Sequence, residues 1–183
     1  TTISLAGTTG INATSITTTS TQDYNGAVTL SVDTVLTGTN VTFGDTIAGT
    51  TAGQEGLNVT GNAIFGGTVG VGTSLEFVTV SGTSAINGGN VNATVIDVND
   101  SLILDTDVTL TGTTSVSLAA IDSASGETND LTVNSPLTTF NGVIGGTQAL
   151  ANLTTDAAGN TTISTASLNI TGNQLYNDDV LLN

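Results

Sequence analysis

The chain of 183 residues has no lysine, arginine, histidine, cysteine, methionine or tryptophan. Its formal charge of −15 comes from acids alone, so no two side chains can form an ion pair. Without cations to neutralise phosphate, nucleic acid is excluded as a partner, and an anionic membrane surface is disfavoured for the same reason. Without cysteine there is no disulfide, no thiolate zinc site and no thiol nucleophile. No stretch is long and apolar enough to cross a membrane as a helix. Glycine is frequent, and Thr, Val, Asn and Ser stand where helix formers would be needed, so no helix of useful length is predicted. Aromatic bulk is slight, with four Phe and two Tyr. The acids are thinly spread, which suits a large β surface kept soluble and apart from its copies. The absence of Lys and Arg also leaves no tryptic site. No leader peptide is visible, and the chain opens and stops inside its own repeat pattern, which predicts a piece of a longer or processed protein.

What is present is repetition. Asp33-Thr-Val-Leu-Thr-Gly-Thr39 returns about 75 residues later as Asp107-Val-Thr-Leu-Thr-Gly-Thr113. Leu57-Asn-Val59 returns as Leu131-Thr-Val133, and Phe65 to Gly70 as Phe140 to Gly145. Leu75, Val78 and Thr79 return as Leu150, Leu153 and Thr154, while Gln22-Asp-Tyr24-Asn25 reappears two units on as Gln174-Leu-Tyr176-Asn177. A fixed period of this kind points to stacked units, each burying its apolar side against its neighbours. The expected organisation is one continuous body over 1–183, made of a partial unit 1–56, a unit 57–130 and an incomplete unit 131–183.

Within the units, apolar and small polar residues alternate, as from Val28 through Leu30 and Val32 to Leu36, and the apolar positions favour Val and Ile, a strand signal. Residues 44–56 and 122–130 read as corresponding loops. Asn87-Gly-Gly-Asn90 reads as a tight turn. Pro136, the single proline, requires a corner or an edge. A finer spacing runs through Val59, Val80, Val98, Val116 and Val133 at 17–21 residues, about four intervals to the long repeat. That is the size of one turn of a parallel β-helix. The predicted fold is therefore all-β, a parallel β-helix (β-solenoid) of 18–20 residues per coil, with nine or ten coils stacked at about 4.8 Å. The rival is a string of β-sandwich domains, whose strands also alternate.

The string Phe140-Asn-Gly-Val-Ile-Gly-Gly-Thr-Gln-Ala-Leu-Ala-Asn-Leu-Thr-Thr-Asp-Ala-Ala-Gly159 resembles repeats of giant secreted bacterial surface proteins, the filamentous-haemagglutinin-like and autotransporter-like adhesins. Gln22 to Leu30 and Asp33 to Thr39 resemble further pieces of that repeat. The resemblance implies a right-handed β-helix, an extracellular or cell-surface location, and a part in attachment, aggregation or matrix.

Candidate sites are few. Solenoids that cleave acidic polysaccharides need a cationic base, which this chain lacks. Hydrolysis by carboxylates alone needs two in one cleft. Asp105 and Asp107 are outward neighbours on one expected strand, but their repeat counterparts are Ser31 and Asp33, so a solvated face is the simpler reading and no enzyme activity is expected. Calcium is the one ion suggested, by Asp97, Asn99, Asp100, Asp105 and Asp107, because oxygen ligands suit it. Their spacing matches neither an EF-hand loop nor a Gly-Gly-x-Gly-x-Asp nonapeptide. A flat threonine array for ice would need Thr in successive coils, whereas one coil beyond Thr37 and Thr39 the expected neighbours are Glu55 to Asn58. Asn-x-Ser/Thr triplets begin at Asn12, Asn40, Asn58, Asn92, Asn99, Asn152, Asn160 and Asn169, about as many as this composition yields by chance, and they carry weight only where Asn is glycosylated. The expected role is a stalk, adhesin shaft or fibre-forming unit, with end-to-end self-association through unpaired strand edges. The alternative is a calcium- or glycan-binding module built on the loops 44–56 and 122–130.

Overall fold

The computed structural model describes all residues 1–183. It is an all-β solenoid of about nine coils, with parallel pairing throughout and no helix. Each coil has three faces. The first coil sets the pattern with Ile3–Leu5, Thr9–Ile11 and Ser15–Thr17. These strands pair one coil onward with Thr21–Tyr24, Val28–Leu30 and the start of Thr34–Phe43. Nine coils at the strand spacing give a body about 43 Å long.

Alternation explains the core. In a strand every second side chain points to the same side, so each face contributes a column of inward residues. On the first face Tyr24, Phe43, Phe65, Ile86 and Leu104 stack in turn. The three rings form a ladder with centroids 5.5 and 5.6 Å apart and nearly parallel planes. On the second face the column is Val28, Ile47, Val69, Val91, Leu110, Val133, Thr155 and Tyr176. On the third it is Ile16, Leu36, Val59, Val80, Val98, Leu118, Phe140, Ile163 and Leu182. One hydrophobic cluster, aliphatic but for Tyr24, Phe43, Phe65 and Phe140, runs from Ile11 to Ile163. Each fully covered Leu, Ile or Val in it contributes about 1.5–3 kcal/mol relative to exposure.

The corners explain the variable coil length. Steps along the third column run from 18 to 23 residues, wider than the expected 18–20, because extra residues collect where faces meet. Glycine occupies the tightest of these places. Gly61, at φ +129°, lies so close to the coil above that a Cβ would stand 1.9 Å from the Gly38 carbonyl oxygen. Pro136 sits at a corner between Leu131–Asn134 and Leu137–Phe140, as its geometry demands, and its carbonyl accepts from Asn160 N–H. The Asn87 to Asn90 turn is also a corner, with Gly89 at φ +79°.

Several expectations are corrected. Val59, Val80 and Val98 do share a column, but Val116 pairs with Ile96 and Thr138, and Val133 lies on the second face opposite Leu110. The segment 44–56 is not all loop, because Ile47 is buried and Ile47–Gly49 forms a strand. Likewise 122 and 123 belong to Ile121–Ser123, and only the residues after them form the loop. Polar residues point inward more than hydropathy predicts: Gln22, Thr34, Ser84, Thr138, Thr155 and Thr161 are buried, while Val35 faces out.

The long repeat is not a whole number of coils. Leu36 lies on the third face of coil 2, and its counterpart Leu110 on the second face of coil 6, eleven faces later. Gln22 lies on the first face of coil 2, and Gln174 on the second face of coil 9, twenty-two faces later. The unit that recurs is a strand with its corner, and each full repeat falls one face short of four coils.

Candidate functional site

The proposed calcium residues do not converge. Asp97 points outward from Asn90–Val98, and its carboxylate accepts from Asn99 at 3.3 Å. Asp100 turns back onto the Ser101 N–H at 2.8 Å, in the corner that follows. Asp105 and Asp107 stand at the next corner, between Leu102–Leu104 and Val108–Leu118, so they do not flank a strand residue as expected. The cause is the tight turn through Thr106, which ends the strand at Leu104. No group of three or more acidic side chains draws together as a cation would require.

Asp107 has a structural task instead. Its Oδ1 accepts from the Asp130 N–H at 2.9 Å, one coil onward, and Asp33 does the same for the Gly56 N–H at 2.8 Å. The acid that recurs with the long repeat is thus a clip between coils, satisfying a corner N–H that no strand partner reaches. Asp156 plays the same part for Ser135 N–H, and Asn62 and Asn152 for Thr83 and Asn173 N–H.

The loop 50–56 is closed on itself. Glu55 is covered and accepts from the Thr50 hydroxyl at 2.5 Å and the Thr51 N–H at 3.0 Å. The Thr50 hydroxyl first, then the Thr51 N–H, holds its carboxyl below the usual carboxylate range. The Thr37 neighbours also differ from expectation, because the wider corner shifts the register. Thr17, Thr37 and Thr60 pair in sequence, a row of three before Ser81. Glu55 to Asn58 are not its neighbours.

One groove of about 300 Å³ opens on the first face beside the loop after Ser123. It is lined by Ile103, Asp122, Ser123, Ser125, Thr147 and Gln148 among others. Asp122 Oδ1 accepts from the Thr147 and Gln148 N–H groups at 2.7 and 3.0 Å. Ser123 Oγ accepts from Asn129 N–H at 2.9 Å, which folds the loop back. The remaining hydroxyls, the Gln148 amide and the second Asp122 oxygen suit a neutral, hydroxyl-rich ligand. The sequence signalled the loop but not the groove, since Thr147 and Gln148 reach it from the coil below.

A second polar feature lies inside the solenoid. Gln22 is fully buried, donating from Nε2 to the Ile16 and Thr37 carbonyls at 3.1 and 2.8 Å. Its Oε1 accepts from the Tyr24 hydroxyl at 2.8 Å. Burial pushes the Tyr24 phenol up to about 12. Gln174 and Tyr176 repeat the pair near the other end, with the Tyr176 hydroxyl donating to Gln174 Oε1 at 3.2 Å. No protein-family model, curated protein or solved structure matches this chain.

Proposed function

We propose that the chain is a shaft segment of an extracellular surface or matrix protein, of the kind found in filamentous-haemagglutinin-like adhesins. The observation that carries this reading is the single buried hydrophobic cluster from Ile11 to Ile163, built up as parallel strands stack coil on coil. Ladder hydrogen bonds run along the long axis, so the body keeps its length and holds whatever its ends carry at a set distance. The acidic, threonine-rich exterior resists lateral association, and the lack of Lys and Arg protects it from trypsin-like proteases.

Electron microscopy and small-angle scattering of the purified chain test the shape, with rods about 43 Å long expected. Deleting residues 81–98, one coil step, shortens the rod by about 4.8 Å on this reading and leaves the fold intact. Antibody labelling of intact source cells tests the location. A compact particle, or a chain confined to the cell interior, would overturn the reading.

The groove beside Asp122 favours a second reading, a glycan-binding module. Glycan-array binding that disappears when residues 124–128 are shortened, with the rod preserved, would support it. Unchanged binding would locate the contact elsewhere.

A further inference from the structure

We propose that Asn141 is a self-modifying residue, whose side-chain amide is lost to attack by the Gly142 nitrogen at the corner between coils 7 and 8. The chain holds three Asn-Gly pairs, Asn25-Gly26, Asn87-Gly88 and Asn141-Gly142. All three asparagines are exposed and follow the end of an inward-facing stretch. Glycine leaves the following nitrogen unshielded by a side chain, so by sequence alone the three pairs share one reactivity. The structure separates them.

Two of the pairs are tied down. Gly88 N–H donates to the Phe65 carbonyl at 3.1 Å, which engages the attacking nitrogen. Gly26 N–H is free, but Asn25 sends both its main-chain N–H and its Nδ2 to the Leu5 carbonyl, at 2.8 and 3.2 Å. That fixes its side chain to the backbone of the neighbouring coil. At the third pair neither restraint applies. Gly142 N–H donates to no group of the chain, and Asn141 Nδ2 is held only by the Ser117 hydroxyl at 3.3 Å, an acceptor that rotates.

The reaction needs only water. The Gly142 nitrogen bonds to Asn141 Cγ, the Cγ–Nδ2 bond breaks, and the Gly142 proton leaves with Nδ2 as ammonia. The product is a five-membered cyclic imide. Water then opens the ring and returns a proton to the nitrogen. Opening at Cγ gives aspartate. Opening at the main-chain carbonyl gives an isoaspartyl link, which adds one carbon to the backbone.

The corner has no room for that carbon. A Cβ on Gly142 would already stand 2.5 Å from the Ala120 nitrogen. From here the chain runs to Ile144, which pairs with Ile121, and on to Thr147 and Gln148, whose N–H groups hold Asp122. The isoaspartyl form therefore loosens the wall of the groove that coil 8 supplies. Either product also adds one negative charge to a chain that carries no cation to offset it.

Peptide mapping by mass spectrometry tests this on the 183-residue chain, held in mildly alkaline buffer both folded and unfolded in urea. Unfolded, the three asparagines should convert at similar rates. Folded, Asn141 should convert about tenfold faster than Asn25 or Asn87, the factor that one held hydrogen bond is worth. Ser117→Ala, which releases the amide, should speed conversion at Asn141 alone. Asn141→Gln, whose ring closure is larger and slower, should abolish it there. Circular dichroism checks that both variants keep the fold. Equal rates at the three sites in the folded chain, or Asn25 or Asn87 leading, would overturn the inference. So would an Asn141 that stays intact when folded and converts only in urea.

Discussion

Asp33 to Thr39 and Asp107 to Thr113 share five of seven residues, yet one runs along the third face of the solenoid and the other along the second. Their local environments nevertheless agree. Leu36 and Leu110 are both fully buried. Asp33 and Asp107 each clip an N–H one coil onward. Gly38 and Gly112 each stand at the corner that follows, where a Cβ would meet a backbone oxygen at 2.8 and 2.6 Å. The chain thus encodes a strand and its corner, and the three faces are interchangeable hosts for it. A coil is simply three such steps closed by parallel pairing.

The largest test of this equivalence is Leu36→Ala against Leu110→Ala. Each should cost about 2–5 kcal/mol in denaturant unfolding, with similar values for the two. A large loss at one site and none at the other would break the equivalence of the faces. The corner glycines come next. Gly38→Ala and Gly112→Ala should each cost about 1–3 kcal/mol through overpacking against the neighbouring backbone. The acid clips are smaller still: Asp33→Ala and Asp107→Ala should each lose about 0.5–1.5 kcal/mol. Asp→Asn, which keeps the accepting oxygen, should be close to neutral at both. If Asp107→Ala instead abolished a calcium-induced shift in melting temperature, the clip would have to be replaced by a metal site.

The two Gln-x-Tyr pairs make stability depend on pH. Burial raises the Tyr24 phenol from 10.0 to about 12, and burial also raises Tyr176. The folded state therefore holds these protons more tightly than the unfolded chain. That stabilisation is fully present below pH 10 and is lost as pH rises from there through about 12. Denaturation midpoints should fall across this window in the wild type and fall less in Tyr24→Phe. Tyrosinate absorbance should show both groups titrating above the ordinary phenol range. A phenol that ionises normally at Tyr24 would mean that the N-terminal coils are open.

The solenoid itself was legible in the sequence because alternation, glycine punctuation and a fixed period all describe one physical unit. The register was not. Spacing of valines suggested a column through Val116 and Val133, but corners of variable length move those residues to other positions. Inward polar residues were equally hidden. Gln22 and Thr34 look like outward residues by hydropathy, and only the carbonyls that accept from them, Ile16 and Thr37 for Gln22 and Ala13 for Thr34, make burial tolerable. The acid-rich stretch from Asp97 to Asp107 looked like a ligand set because sequence places its members close together. The intervening strand Leu102–Leu104 carries them to opposite corners of a face. The groove beside Asp122 needed two coils to form, so no single stretch announced it.

The register can be read directly in a chain that has no cysteine of its own. Thr37 pairs with Thr60 on the third face, and Thr111 with Asn134 on the second. Paired strand residues stand about 4.8 Å apart, within the range a disulfide spans. Cysteine pairs at 37/60 and at 111/134 should therefore both oxidise rapidly to intramolecular disulfides. Slow or absent bridging in either pair, with rapid bridging of position 37 to one 18–20 residues on, would contradict the eleven-face repeat.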